Sequence, residues 1–128
     1  MTEENDIEYE LPDFSVIKIP ARVRMGVPEL FFNPQHNGLT CKNMTDLTWN
    51  SVQSCDLDVR KSLSSNIILS GGSTLYSGLA SRLKSEIECL APVGADIRIK
   101  APEDRQFAVW NGASTLATMP GFSSNWIT

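Results

Sequence analysis

The chain has 128 residues, 41% of them hydrophobic and 20% charged, with a net charge of −4. That is enough for one small soluble globular core. No apolar run reaches the length of a membrane span, and no basic cluster of the kind that binds nucleic acid is present, so neither a membrane nor a nucleic-acid partner is expected.

The acids are unevenly placed. Glu3, Glu4, Asp6, Glu8 and Glu10 are five of the 15, and residues 11–128 carry about one net positive charge. Residues 1–8 read as an acidic flexible tail, too polar for a secretory or mitochondrial targeting segment. Cys41, Cys55 and Cys89 fit no zinc pattern and no disulfide framework, which implies free thiols in a reducing compartment.

Ser15-Val16-Ile17-Lys18-Ile19 reads as a strand, stopped by Pro20. Pro28 suits the first position of a short helical turn, and residues 33–43 read as loop. Thr45 is a suitable N-cap for a helix over about 46–54 that buries Leu47 and Val52, with Trp49 a further candidate. A second helix is expected over Asp56–Leu63, with Asp56 capping it. Asp56 and Asp58 could pair on a cation, but capping and compensation of the helix dipole explain them better.

Ile67-Ile68-Leu69 then runs into Ser70-Gly71-Gly72-Ser73 and a helical pattern. A buried strand entering a glycine turn and then a helix is the layout of a small-molecule site at the end of a sheet strand. Glycine lacks Cβ, so the backbone can take positive φ and a flat ligand can lie against it. Leu79, Leu83, Ile87 and Leu90 follow at helical spacing, and Pro92 and Gly94 end that helix. Asp96-Ile97-Arg98-Ile99-Lys100 alternates as a half-buried strand does. A last helix is expected from near Asp104 to about Thr118, packed through Val109, Trp110, Ala113, Leu116 and Ala117, with Gly112 and Ala113 allowing a close neighbour. Trp49, Trp110 and Trp126 read as core or interface residues rather than a stacking platform.

Catalytic signals are sparse. There is no Gly-x-x-x-x-Gly-Lys-Ser/Thr loop and no Gly-x-Gly-x-x-Gly. The single histidine, His36, sits in a polar loop without a nucleophile motif and reads as a solvated residue.

Several segments together carry a resemblance. They are Tyr9-Glu10-Leu11-Pro12-Asp13, Cys55-Asp56-Leu57-Asp58-Val59-Arg60-Lys61, Leu69-Ser70-Gly71-Gly72-Ser73-Thr74-Leu75-Tyr76, Ala101-Pro102-Glu103-Asp104-Arg105-Gln106-Phe107-Ala108-Val109-Trp110, Gly112-Ala113-Ser114 and Trp126-Ile127-Thr128. In this order and spacing the chain, over residues 9–128, resembles the C-terminal part of actin and the actin-related proteins. The resemblance implies a partial α/β fold of the actin, hexokinase and heat-shock ATPase type: the C-terminal part of the large domain with its last helix. It also implies a cytoplasmic, cytoskeletal protein, or a nuclear one if an actin-related protein.

Intact actin-like proteins hold ATP or ADP with magnesium or calcium in a cleft and hydrolyse ATP slowly. The phosphate-gripping hairpins and metal-coordinating aspartate of that family have no counterpart here, so turnover and stable nucleotide binding by this chain alone are not expected, and no metal ligand or catalytic residue is assigned. The resemblance places Gly71, Gly72, Ser73, Leu75, Tyr76 and Gln106 on the adenine side of the cleft. The family carries a basic residue where Gln106 stands, so a cation–π contact with the base is lost.

Two further surfaces follow from the resemblance. The loop that bears the family's apolar plug reads Gln35-His36-Asn37-Gly38-Leu39, in which only Leu39 is apolar. The helix that lines the family's regulator groove carries Asn111, Thr115, Leu116 and Met119 at matching positions; burying the two polar ones unpaired would cost about 1–3 kcal/mol each. Implied partners are actin-like subunits or an actin-containing complex, and actin-binding proteins. The alternative is a non-polymerising module that holds protein partners without nucleotide. The hairpins that pair with the two core strands in the family are missing upstream, which implies exposed sheet edges and either a truncated product, a part of an assembly or a rearranged core.

Overall fold

The computed structural model describes residues 6–125. Residues 1–5 of the acidic tail, and Trp126, lie outside the described residues. The chain divides into two compact bodies, residues 1–47 and 48–128. No helix of the described residues is long and apolar enough to cross a membrane.

The first body opens with a hairpin. Strand β1 (Ile7–Glu10) pairs antiparallel with β2 (Val16–Ile19), Ile7 opposite Ile19 and Glu10 opposite Val16. Ile7 and Glu8 are therefore strand residues, not tail. The cause is register: once Val16–Ile19 is extended, the preceding Ile7-Glu8-Tyr9-Glu10 can satisfy its backbone groups along it. Asp6 is anchored too, its Oδ1 accepting from the Ala21 amide at 2.8 Å, with Lys18 Nζ 3.6 Å from its other oxygen.

The connecting turn is strained at one residue. The Phe14 amide donates to Leu11 O and the Leu11 amide to Ser15 O, and Phe14 sits at φ +65°. A three-residue hairpin loop puts its last residue in the left-handed region, where glycine is the usual occupant. Phe14 pays that penalty with its ring 82% exposed. Replacing Phe14 with glycine is expected to raise the urea midpoint of the first body, since relief of up to about 1–2 kcal/mol exceeds the added flexibility of the unfolded chain. A lowered midpoint would mean the ring has a packing role.

Asp13 holds the same turn, accepting from the Ser15 hydroxyl at 2.6 Å and its amide at 3.0 Å. The Ser15 hydroxyl first, then the backbone amide, hold the Asp13 carboxyl below its ordinary value. A carboxyl depressed in the folded state stabilises the turn above its unfolded value, and that contribution is lost as pH falls through the folded one. Ser15→Ala removes the hydroxyl but keeps the amide, and is expected to move the Asp13 carboxyl titration, followed by NMR, upward toward the ordinary carboxylate range.

Helix α1 (Ala21–Glu29) follows Pro20 directly. Only a turn beginning at Pro28 is legible in the sequence; instead Pro28 lies in the last turn of a nine-residue helix. Gly26 and Pro28 are poor helix formers, yet the helix forms after the extended entry at Pro20, with Ala21 its one buried residue. Pro28 supplies no N–H, and the helix ends one residue later. Phe32 and Pro34 are buried beyond it, and Pro34–Asn37 form a single tight 3-10 turn closed by Gly38 at φ +75°.

Helix α2 (Met44–Gln53) starts earlier than the sequence suggests. Asn43, not Thr45, supplies the cap, its Oδ1 accepting from the Asp46 amide at 2.6 Å, while Thr45 is buried. Val52 is buried as expected, but Leu47 is exposed. Helix α3 (Leu57–Ser64) has Asp56 at its N-cap position, although the side chain makes no capping bond.

The second body is built on a strand–helix–strand unit. Strands β3 (Ile67–Ile68) and β4 (Ile99–Lys100) pair in parallel, Ile67 opposite Ile99, and helix α4 (Leu79–Leu90) connects them. Leu79, Leu83 and Ile87, one face of α4, are buried together with Leu69, Ile97 and Val52. The fourth residue of the expected stripe, Leu90, is nearly half-exposed because the helix ends there and Ala91 turns into extended backbone. Arg82–Glu86 and Lys84–Glu88 pair along the outer face, each worth about 0.3–0.5 kcal/mol.

Helix α5 (Ala108–Thr118) begins four residues later than expected, because Glu103–Gln106 form turns. It buries none of its residues: Val109, Trp110 and Leu116 are exposed, as are Ala113 and Ala117. A Cβ on Gly112 would meet nothing within 4 Å, so the close approach expected there is absent among the described residues. The apolar spacing correctly marks a helix; the described residues hold no element that covers it.

Candidate functional site

Parallel pairing decides where the glycine turn goes. Two parallel strands leave their sheet at the same end, so the segment after β3 and the segment after β4 emerge side by side. Leu69 N donates to Lys100 O at 2.8 Å and continues the ladder, and two residues on the Gly71 amide reaches Arg105 O, also at 2.8 Å. The Ser70 hydroxyl donates to that carbonyl at 3.4 Å.

Gly71 has φ +88° and ψ 153°, a region open to glycine and almost closed to other residues. A Cβ there would meet nothing within 4 Å, so this backbone face is open. Residues Gly72–Thr74 then make one 3-10 turn, closed by Leu75 N donating to Gly72 O at 3.1 Å. A Cβ on Gly72 would lie 3.8 Å from Gln106 Cγ. The structure thus brings Gly71, Gly72 and Gln106 together from segments more than 30 residues apart. Ser73 is exposed beside them, and Leu75 and Tyr76 keep 42% and 38% of their surface in solvent.

Two residues that stand in the quoted motifs, but to which the sequence assigned no role of their own, hold this arrangement. Arg105 donates from Nη2 to Thr74 O at 2.9 Å, from Nε to Thr74 Oγ1 at 3.1 Å, and from Nη1 to Pro102 O at 2.8 Å. Thr74 Oγ1 in turn donates to Gly71 O at 2.8 Å. No local pattern marks a pair 31 residues apart; the one usable signal is a β-branched hydroxyl directly behind a Gly-Gly-Ser turn.

The other sequence-selected residues lie elsewhere. Gln35, His36 and Asn37 occupy the 3-10 turn of the first body, and Leu39 follows it half-exposed. That loop borders a cavity of about 200 Å³ walled by Phe32, Asn33, His36, Lys42 and Asp46 among others. Asn111, Thr115 and Leu116 lie on α5 and Met119 at its end, all exposed. The Thr115 hydroxyl donates to Asn111 O at 2.9 Å. A second cavity, about 500 Å³, is lined in the second body by Trp49, Val52, Leu57, Arg60, Pro92 and Asp96. The three cysteines are free. Among the described residues no group of three or more His, Cys, Asp or Glu side chains comes together to hold a metal ion.

The family model for actin matches residues 1–128, the whole length of the chain. The chain belongs to the actin family. This agrees with the mixed helix and strand content and with a parallel strand pair joined through α4. It gives the turn at Gly71 and Gly72 a context, since the resemblance in the sequence assigned the adenine side of an actin-type cleft to those residues and Gln106.

Proposed function

We propose that this actin-family chain contributes the adenine side of an ATP cleft, and that its outward surfaces form an interface in a filament or a larger actin-containing complex. On this reading the chain corresponds to the C-terminal part of the large domain with its last helix. It acts in the cytoplasm as part of the cytoskeleton, or in the nucleus as part of an actin-related assembly.

The observation that carries the reading is the junction of Gly71 with Arg105 and of Gly72 with Gln106 at one end of a parallel strand pair. The open backbone face at Gly71 suits a flat base laid against it, with Gln106 to one side and Ser73, Leu75 and Tyr76 along the following turn. Nothing comparable supports a phosphate or metal site in these residues, so magnesium or calcium is assigned no ligand and the chain no hydrolytic step.

One observation favours a second reading, a protein-binding module that works without nucleotide. Gln106 puts an uncharged amide where a cation would stack on the base, so affinity from that contact is missing. Equilibrium dialysis with labelled ATP separates the two. Saturable binding that GTP fails to displace supports the cleft wall. Binding absent up to millimolar ATP, with nucleotide-independent co-sedimentation on actin filaments, supports the module.

A further inference from the structure

We infer that Arg105 is a positioning residue that fixes the two halves of the Gly71–Gly72–Gln106 wall in register. The inference deepens the cleft-wall reading and its ligand arm rests on it. Arg105 engages the glycine turn in both directions. Its carbonyl accepts from Gly71 N and from Ser70 Oγ, while its guanidinium donates to Thr74 O and Thr74 Oγ1.

The third arm, Nη1 to Pro102 O, ties the same guanidinium to the start of its own loop. One planar group therefore braces residues 71–74 against 102–105, and Gln106 follows it directly. The planar fork is what makes this possible: its donors leave in fixed directions, whereas a lysine ammonium is a single point on a flexible stem. Loss of the fork leaves the Gly71 N to Arg105 O bond supported only by the long Ser70 hydroxyl contact to the same carbonyl, and Gln106 is freed to turn away from Gly72.

The test is residue-resolved amide exchange by NMR on the 128-residue chain, comparing wild type with Arg105→Lys and Thr74→Val. Exchange at Gly71 is expected to rise about tenfold in Arg105→Lys, and by less in Thr74→Val, which keeps the carbonyl contact. Exchange at Ile87 in the buried face of α4 is expected to stay unchanged. An equal rise at Gly71 and Ile87 would make Arg105 a contributor to global stability only, and no rise at Gly71 in Arg105→Lys would remove the positioning role. Both results overturn the inference. A parallel adenosine titration carries the ligand arm: shifts at Gly72 and Gln106 in wild type are expected to shrink in Arg105→Lys. No shift in wild type would sink the cleft-wall reading and leave the exchange result to decide the positioning role by itself.

Discussion

Replacing Ile87 with alanine is expected to destabilise the second body by about 2–5 kcal/mol, the largest effect of any single truncation proposed. Ile87 is fully buried, and it sits with Leu83, which is 1% exposed, between the strand side of the body and the outer face of α4. Removing its branched side chain costs the transfer energy of the lost carbons and leaves a cavity that neighbours fixed on a helix and two short strands cannot collapse into. Leu90→Ala on the same helix is the control. Leu90 is 46% exposed, so its truncation is expected to cost less than about 1.5 kcal/mol. Urea unfolding followed by circular dichroism reads both, and similar midpoints for the two variants would contradict the assigned core.

The second large effect is expected at Gly71. Gly71→Ala places a Cβ on backbone at φ +88° and ψ 153°, at a cost of about 1–3 kcal/mol. The cost is conformational and not steric, because the added carbon would meet nothing within 4 Å. The variant can relieve strain only by rotating the backbone, which pulls the Gly71 amide from Arg105 O. Gly72→Ala separates this from a general sensitivity of the turn. Its φ is not in the positive region, and its Cβ would make ordinary contact with Gln106 Cγ at 3.8 Å, so a change within about 0.5 kcal/mol is expected. Equal losses for both variants would show that the turn is fixed by packing and not by backbone geometry.

The sequence was most legible where one physical rule acts alone. The Leu79–Leu83–Ile87 spacing specifies a buried helical face, and the alternation over residues 96–100 marks a strand, although only Ile99–Lys100 pairs as one and Ile97, just before it, is the buried residue. Asp56 stands at the N-cap position of α3 as its residue type suggests, but without the capping bond that local logic calls for. Reading failed where tertiary context overrides local preference. Helix α1 runs through Gly26 and Pro28 after the extended entry at Pro20, and β1 forms from an acidic segment because β2 offers a partner. Helix α5 shows the reverse: its apolar residues predict burial, but burial needs a second surface that the described residues do not provide.

The candidate site was half legible. Gly71, Gly72 and Gln106 could be picked out by motif, but their meeting depends on the parallel register of Ile67 with Ile99, which no local pattern encodes. The pairing of Arg105 with Thr74 was illegible for the same reason, since their bond joins residues 31 apart and neither is apolar or periodic.

The most direct measurement of the central claim is an adenosine titration of the isotope-labelled chain, following the amides of Gly71, Gly72 and Gln106 against those of Gly38 and Gly94. Saturable shifts are expected at the first three and none at the last two, since Gly38 closes a turn of the first body and Gly94 a turn before β4. Shifts spread evenly over all five, or confined to the loop around Gly38, would contradict it.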